Sequence, residues 1–106
     1  MIIAVVGSGG KTTRVHKLAK YYKSLGKKVF VTTTTHMKKE PDTVIPTCAK
    51  DLLNPLSETG YCMAGMLTTT KDALVQKIGS LPKDLYDQAV EEADITLIEA
   101  DGSRGM

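Results

Sequence analysis

Ile2-Ile3-Ala4-Val5-Val6-Gly7-Ser8-Gly9-Gly10-Lys11-Thr12-Thr13 stands at the start of the chain, and the reading of this stretch decides the fold. An apolar, largely β-branched run from Ile2 to Val6 predicts a strand buried on both faces of a parallel sheet. The glycines that follow let backbone N–H groups close around phosphate oxygens, and a helix beginning after them points its positive end at the same place. The stretch therefore predicts a phosphate-binding loop in which Gly7, Ser8, Gly9, Gly10, Lys11, Thr12 and Thr13 surround the phosphates of a nucleotide. Lys11 would neutralise the β- and γ-phosphates, and the Thr12 hydroxyl would ligate Mg²⁺.

The spacing is shorter than G-x-x-x-x-G-K-[ST]. Val5 occupies the position where that form has its first glycine, and Gly7 lies three residues before Gly10. The contracted form G-x-x-G-K-T-T also occurs in the Mur ligase family. A bare glycine-rich turn is the competing reading, and a strand before and a helix after favour the phosphate loop.

Beyond the loop the period changes. Val15, Leu18, Ala19, Tyr22 and Leu25 recur at helical spacing while Arg14, Lys17 and Lys20 fall elsewhere, which predicts an amphipathic helix from Lys11 to Leu25 with Gly26 just past its end. His16 falls on the polar, solvated side. Val29 to Thr33 reads as a second, parallel strand completing a βαβ unit. Its carboxyl end would open beside the phosphate loop, and Thr34, Thr35 and His36 follow there, where open α/β sheets bind ligands. Thr35 and His36 are accordingly candidate nucleotide contacts, although a structural role serves His36 equally well.

Residues 37 to 47 read as a loop with Pro41 and Pro46, leading to a short helix over Cys48 to Leu53 that Thr47 caps and Asn54-Pro55 ends. Tyr61 to Leu67 reads as a strand, and Lys71 to Ile78 as either helix or strand. Pro82 to Ala93 regains the helical period through Leu85, Ala89 and Ala93, and Asp94 closes it. Ile95 to Ile98 is a compact β-rich run that delivers Glu99-Ala100-Asp101-Gly102-Ser103-Arg104-Gly105 at its carboxyl end.

A phosphate loop needs an acid at the end of a neighbouring buried strand to hold the metal and its water. Glu99 stands in that place as metal-site or water-orienting acid, and Asp101 shares the role unless Asp101-Gly102 is a plain turn. Arg104 lies near the same edge, where a guanidinium could stabilise charge on a transferring phosphoryl group; a surface arginine is the plainer reading. Lys11, Glu99, Asp101 and Arg104 are thus the catalytic candidates, with Thr12 and Glu99 as metal ligands. No N-K-x-D signature fixes the base, so ATP or GTP is expected, with ATP preferred.

The chain has 106 residues, a net charge of +2 and two cysteines. That length predicts one nucleotide-binding domain over residues 1–106, small for its class and so only part of a protein. Basic and acidic residues are interspersed, which argues against nucleic acid as a partner. Cys48 and Cys62 lack metal-type spacing and are expected as reduced thiols. No apolar run is long enough for a bilayer, and a soluble, cytoplasmic protein with no membrane partner is expected.

Three ordered motifs carry a family resemblance. Gly7-Ser8-Gly9-Gly10-Lys11-Thr12-Thr13, Val31-Thr32-Thr33-Thr34-Thr35-His36-Met37 and Leu97-Ile98-Glu99-Ala100-Asp101-Gly102-Ser103-Arg104-Gly105 together resemble the YqeC proteins, accessory proteins of selenium-dependent molybdenum hydroxylases. The resemblance implies an α/β, three-layer P-loop NTPase-like fold with a mainly parallel sheet, incomplete at the C-terminus, residues 1–106 being the N-terminal part of a longer protein. It also implies nucleotide-dependent maturation of a selenium- and molybdenum-containing cofactor, with the hydroxylase or its cofactor as partner. Two other function classes stand beside it: a non-catalytic switch or carrier governed by nucleotide state, and Mur-ligase-like or kinase-like phosphoryl transfer. An uncovered edge in a sheet of three or four strands would invite homo-oligomers.

Overall fold

The computed structural model describes residues 1–6, 11–68 and 77–100, and of residues 11 and 12 the backbone alone. Its frame is a four-stranded, wholly parallel sheet built from β1 (Ile2–Val5), β2 (Val29–Thr33), β4 (Tyr61–Met63) and β7 (Ile95–Glu99), in the spatial order β1-β7-β2-β4. A smaller antiparallel sheet sets β3 (Met37–Lys38), β6 (Lys77–Gly79) and β5 (Met66–Leu67) side by side. The predicted α/β class with a mainly parallel sheet holds.

Alternation along the strands sorts side chains to two faces. Val29 and Val31 of β2 join Ile95 and Leu97 of β7 in one cluster with Val15 and Ala19 of α1 (Lys11–Ser24). Phe30 and Cys62 face the other way, onto Leu52 and Leu56 of α2 (Lys50–Glu58) and Ala89 of α3 (Lys83–Glu92). Helices thus cover both faces, which is what lets β2 and β7 be buried at every residue.

The strand from the first stretch is an exception. β1 is the outer strand, joined to β7 alone, and Ile2 is 54% exposed. The expected burial on both faces therefore fails: β7, the last described strand, takes the place beside it, and no described strand covers its other edge. β7 also separates β1 from β2, so the βαβ unit spans a gap that a distant strand fills.

α1 ends as its sequence predicts. The Lys27 amide bonds the Tyr22 carbonyl at 3.2 Å and the Gly26 amide bonds that of Lys23 at 3.0 Å, with Gly26 at φ +79°. That is the paired closure of a helix by a left-handed residue. Leu25 lies beyond the last turn and is exposed, not part of the apolar face.

α2 departs further from expectation. It runs on through Pro55 to Glu58, because Leu52 and Leu56 are wholly buried and hold it against the sheet; the Pro55 carbonyl takes the Thr59 amide, and Gly60 at φ +77° turns the chain. Thr47 does not cap it. The Asp51 carboxylate instead reaches back to accept the Thr47 amide at 2.8 Å and the Thr47 hydroxyl at 3.0 Å. These bonds hold the Asp51 carboxyl below its usual range.

Residues 37 to 47 are not all loop, since β3 opens them, and Tyr61 to Leu67 divides into β4 and β5 of different sheets, around Ala64 and Gly65. Within the segment left between helix and strand, Lys77 to Ile78 lies in β6, and 71–76 are outside the described residues.

Candidate functional site

The carboxyl ends of β1, β7 and β2 form one edge. In register, Val5 of β1 pairs with Glu99 of β7, and Glu99 with Thr33 of β2. Glu99 is therefore at the end of an inner strand, flanked on both sides and only 5% exposed. Its place at the end of an inner strand of the parallel sheet makes it the described acid that stands where open α/β sheets bind their ligands.

The backbone around Glu99 is pinned. Its carbonyl accepts the Thr33 hydroxyl at 2.8 Å and the Thr34 amide at 3.2 Å, while the Ala100 amide bonds the Val5 carbonyl at 3.0 Å. The Thr33 hydroxyl oxygen in turn accepts the Thr35 amide at 3.1 Å. Thr33 thus ties the end of β2 both to Glu99 and to the turn carrying Thr35 and His36. Reading by sequence selected Thr34, Thr35 and His36 but passed over Thr33; an alternating strand that ends in a threonine run is the signal for it. Thr35 is half-buried and His36 exposed at this edge.

The chain leaves β1 at Val6 and re-enters the described structure in α1, whose first residue is Lys11. Gly7, Ser8, Gly9 and Gly10 lie outside the described residues, as do Asp101 and Arg104. The backbone places Lys11, Thr12 and Thr13 in the first turn of α1, with no acid in that turn to oppose an anion. Arg14, a residue the sequence reading left on the solvated side, donates to the Val6 carbonyl at 3.4 Å and so stands at the exit from β1.

His16 is not merely solvated: its Nε2 lies 2.9 Å from Glu40 Oε1, linking α1 to the segment after β3. It lies in the second turn of α1 and belongs to that link. Among the described residues no group of three or more His, Cys, Asp and Glu could hold a metal on its own. One carboxylate at a strand end fits Mg²⁺ nonetheless, since Mg²⁺ keeps several waters and is commonly held by one or two protein oxygens together with phosphates. No described helix is long and apolar enough to cross a membrane.

Comparison with known proteins places these features in context. The YqeC protein family model matches residues 3–106. The "Uncharacterized protein YqeC" of Escherichia coli (strain K12) is 36% identical over 109 aligned residues, covering 99% of this chain and 42% of that protein. The chain thus spans about two-fifths the length of this curated relative. No solved structure matches the chain.

Proposed function

Because the chain belongs to the YqeC family, we propose that it binds a Mg²⁺–nucleoside triphosphate at the carboxyl edge of its parallel sheet. There it hydrolyses or otherwise uses the nucleotide, ATP in preference to GTP, in the maturation of the selenium- and molybdenum-containing cofactor of hydroxylases. The maturation role rests on the family resemblance of the three motifs. The nucleotide role rests on one observation above all: the strand that leads into Gly7-Ser8-Gly9-Gly10 is in register with the strand that ends in buried Glu99.

In this reading the backbone of residues 7–10 and the first turn of α1 receive the phosphates. Lys11 neutralises them, and Thr12 and Glu99 hold the metal and its water shell. Thr35 and His36 contact the nucleotide from the end of β2, and Asp101 and Arg104 complete the edge. Mg²⁺ supplies charge neutralisation between the phosphates when bound.

Isothermal titration of ATP and GTP, with and without Mg²⁺, tests this. Binding is expected to tighten with Mg²⁺, Lys11→Ala is expected to weaken it by at least about tenfold, and Glu99→Gln is expected to remove the Mg²⁺-dependent gain alone. Unchanged affinity in Lys11→Ala would sink the proposal.

A further inference from the structure

The carboxyl edge holds a second concavity. A cleft of about 350 Å³ opens where the end of β2 meets the start of α3, lined by Thr33, Thr34, Ser80, Leu81, Lys83 and Tyr86. Leu81 and Tyr86 belong to the cluster on the α2 and α3 face of the sheet, whereas α1 packs on the opposite face. The cleft and the start of α1 therefore flank the Thr33–Glu99 edge from opposite faces.

Its chemistry is divided. Leu81 and the Tyr86 ring, itself 6.4 Å from the Phe30 ring, give a fixed apolar floor. The Thr33 hydroxyl is committed to the Glu99 carbonyl, so the polar recognition falls to Thr34 and Ser80, both exposed, and to the Lys83 ammonium. Lys83 is paired with Asp87 at 2.6 Å, and both side chains are at least half exposed. A surface pair of that kind contributes little and can yield to a better-placed anion. The volume lies near the lower end of small-molecule sites, which run roughly 300–1,000 Å³, so the occupant is compact.

We propose that this cleft seats the second, non-nucleotide ligand of the site, a compact ring-bearing carboxylate. Its ring lies on Leu81 and Tyr86, and its carboxylate meets Lys83 and the Thr34 and Ser80 hydroxyls. The place of this ligand beside a nucleotide rests on the function proposed above; its binding to the cleft does not.

Amide chemical shifts of the full chain, titrated with benzoate, benzyl alcohol and acetate in separate samples, test it. Benzoate is expected to move the amides of Thr34, Ser80, Leu81, Lys83 and Tyr86, and to do so at lower concentration than either benzyl alcohol or acetate. Lys83→Met is expected to weaken benzoate about fivefold and leave benzyl alcohol unchanged. Absence of benzoate shifts at these amides overturns the proposal, as does acetate binding equal to benzoate, or benzoate affinity unaltered in Lys83→Met. Displacement of benzoate by ATP also overturns it, since the cleft would then hold the base. Lys11→Ala separates the two readings: it is expected to lose ATP and keep benzoate.

Discussion

Thr32 and Thr33 are consecutive on β2, and their hydroxyls serve opposite neighbours. Thr32 donates to the Ala64 carbonyl at 2.8 Å beyond β4, and Thr33 donates to the Glu99 carbonyl at 2.8 Å on β7. Both side chains are buried and satisfied, so the first half of the threonine run secures the strand end, while Thr34 is exposed and Thr35 half-buried. That division was not legible from four identical residues, because it depends on which strands stand to either side. The acid at Glu99 was legible, since a buried strand followed by a carboxylate is a local pattern. The two cysteines also part company: burial pushes the Cys62 thiol up to about 12, whereas Cys48 is exposed. Thiolate is the reactive form, so at about pH 8 iodoacetamide is expected to alkylate Cys48 alone in the native protein and both residues in denaturant. Mass spectrometry of the modified protein reads this directly. Equal rates at Cys48 and Cys62 in native buffer would contradict the packing described around β4.

Elements that bury a whole periodic face, α1 and α3, follow the spacing of their apolar residues, and β7 follows its unbroken β-rich run. Those whose bounds depend on contacts from afar do not. Pro55 reads as a stop until Leu56 is found wholly buried beyond it, and β3, β5 and β6 are only two or three residues long, too short for any period to declare itself. Two glycines separate local from distant constraint. At Gly26 the conformation requires φ +79° and nothing stands within 4 Å of an added Cβ, whereas at Gly65 a Cβ would lie 2.7 Å from the Gly79 carbonyl oxygen and 2.8 Å from Ile78 Cδ1. Gly26→Ala should cost about 1 kcal/mol through backbone strain. Gly65→Ala should cost more, about 1–3 kcal/mol, because the two sheets must move apart where β4 passes into β5. Thermal unfolding of the two variants checks the order, and an equal fall in Tm would refute the close approach of Gly65 to β6.

Across the whole molecule the charges that alternate loosely in the sequence are sorted in space. Arg14, Lys17, Lys20 and Lys23 line α1, which has no acid, while Asp84, Asp87, Glu91 and Glu92 crowd α3 on the opposite face. A net charge of +2 thus conceals an uneven distribution, with α1 basic along its length and α3 acidic beyond Lys83 at its start. Linear interspersion misses this because consecutive helices need not share a face. Strand order was equally illegible, since nothing local tells β7 to stand between β1 and β2. That placement also governs the order of events during folding. Ile2 pairs with Thr96 and Val29 with Ile95, so the strand made first finds its neighbour only once β7 has been made, and closing that long loop is entropically slow. A chain ended after Asp94 should consequently show no cooperative thermal transition by circular dichroism; a transition like that of the full chain would refute this. On the ribosome the apolar opening stretch must therefore remain unpaired until β7 has emerged, and for that interval it is a surface that chaperones can bind.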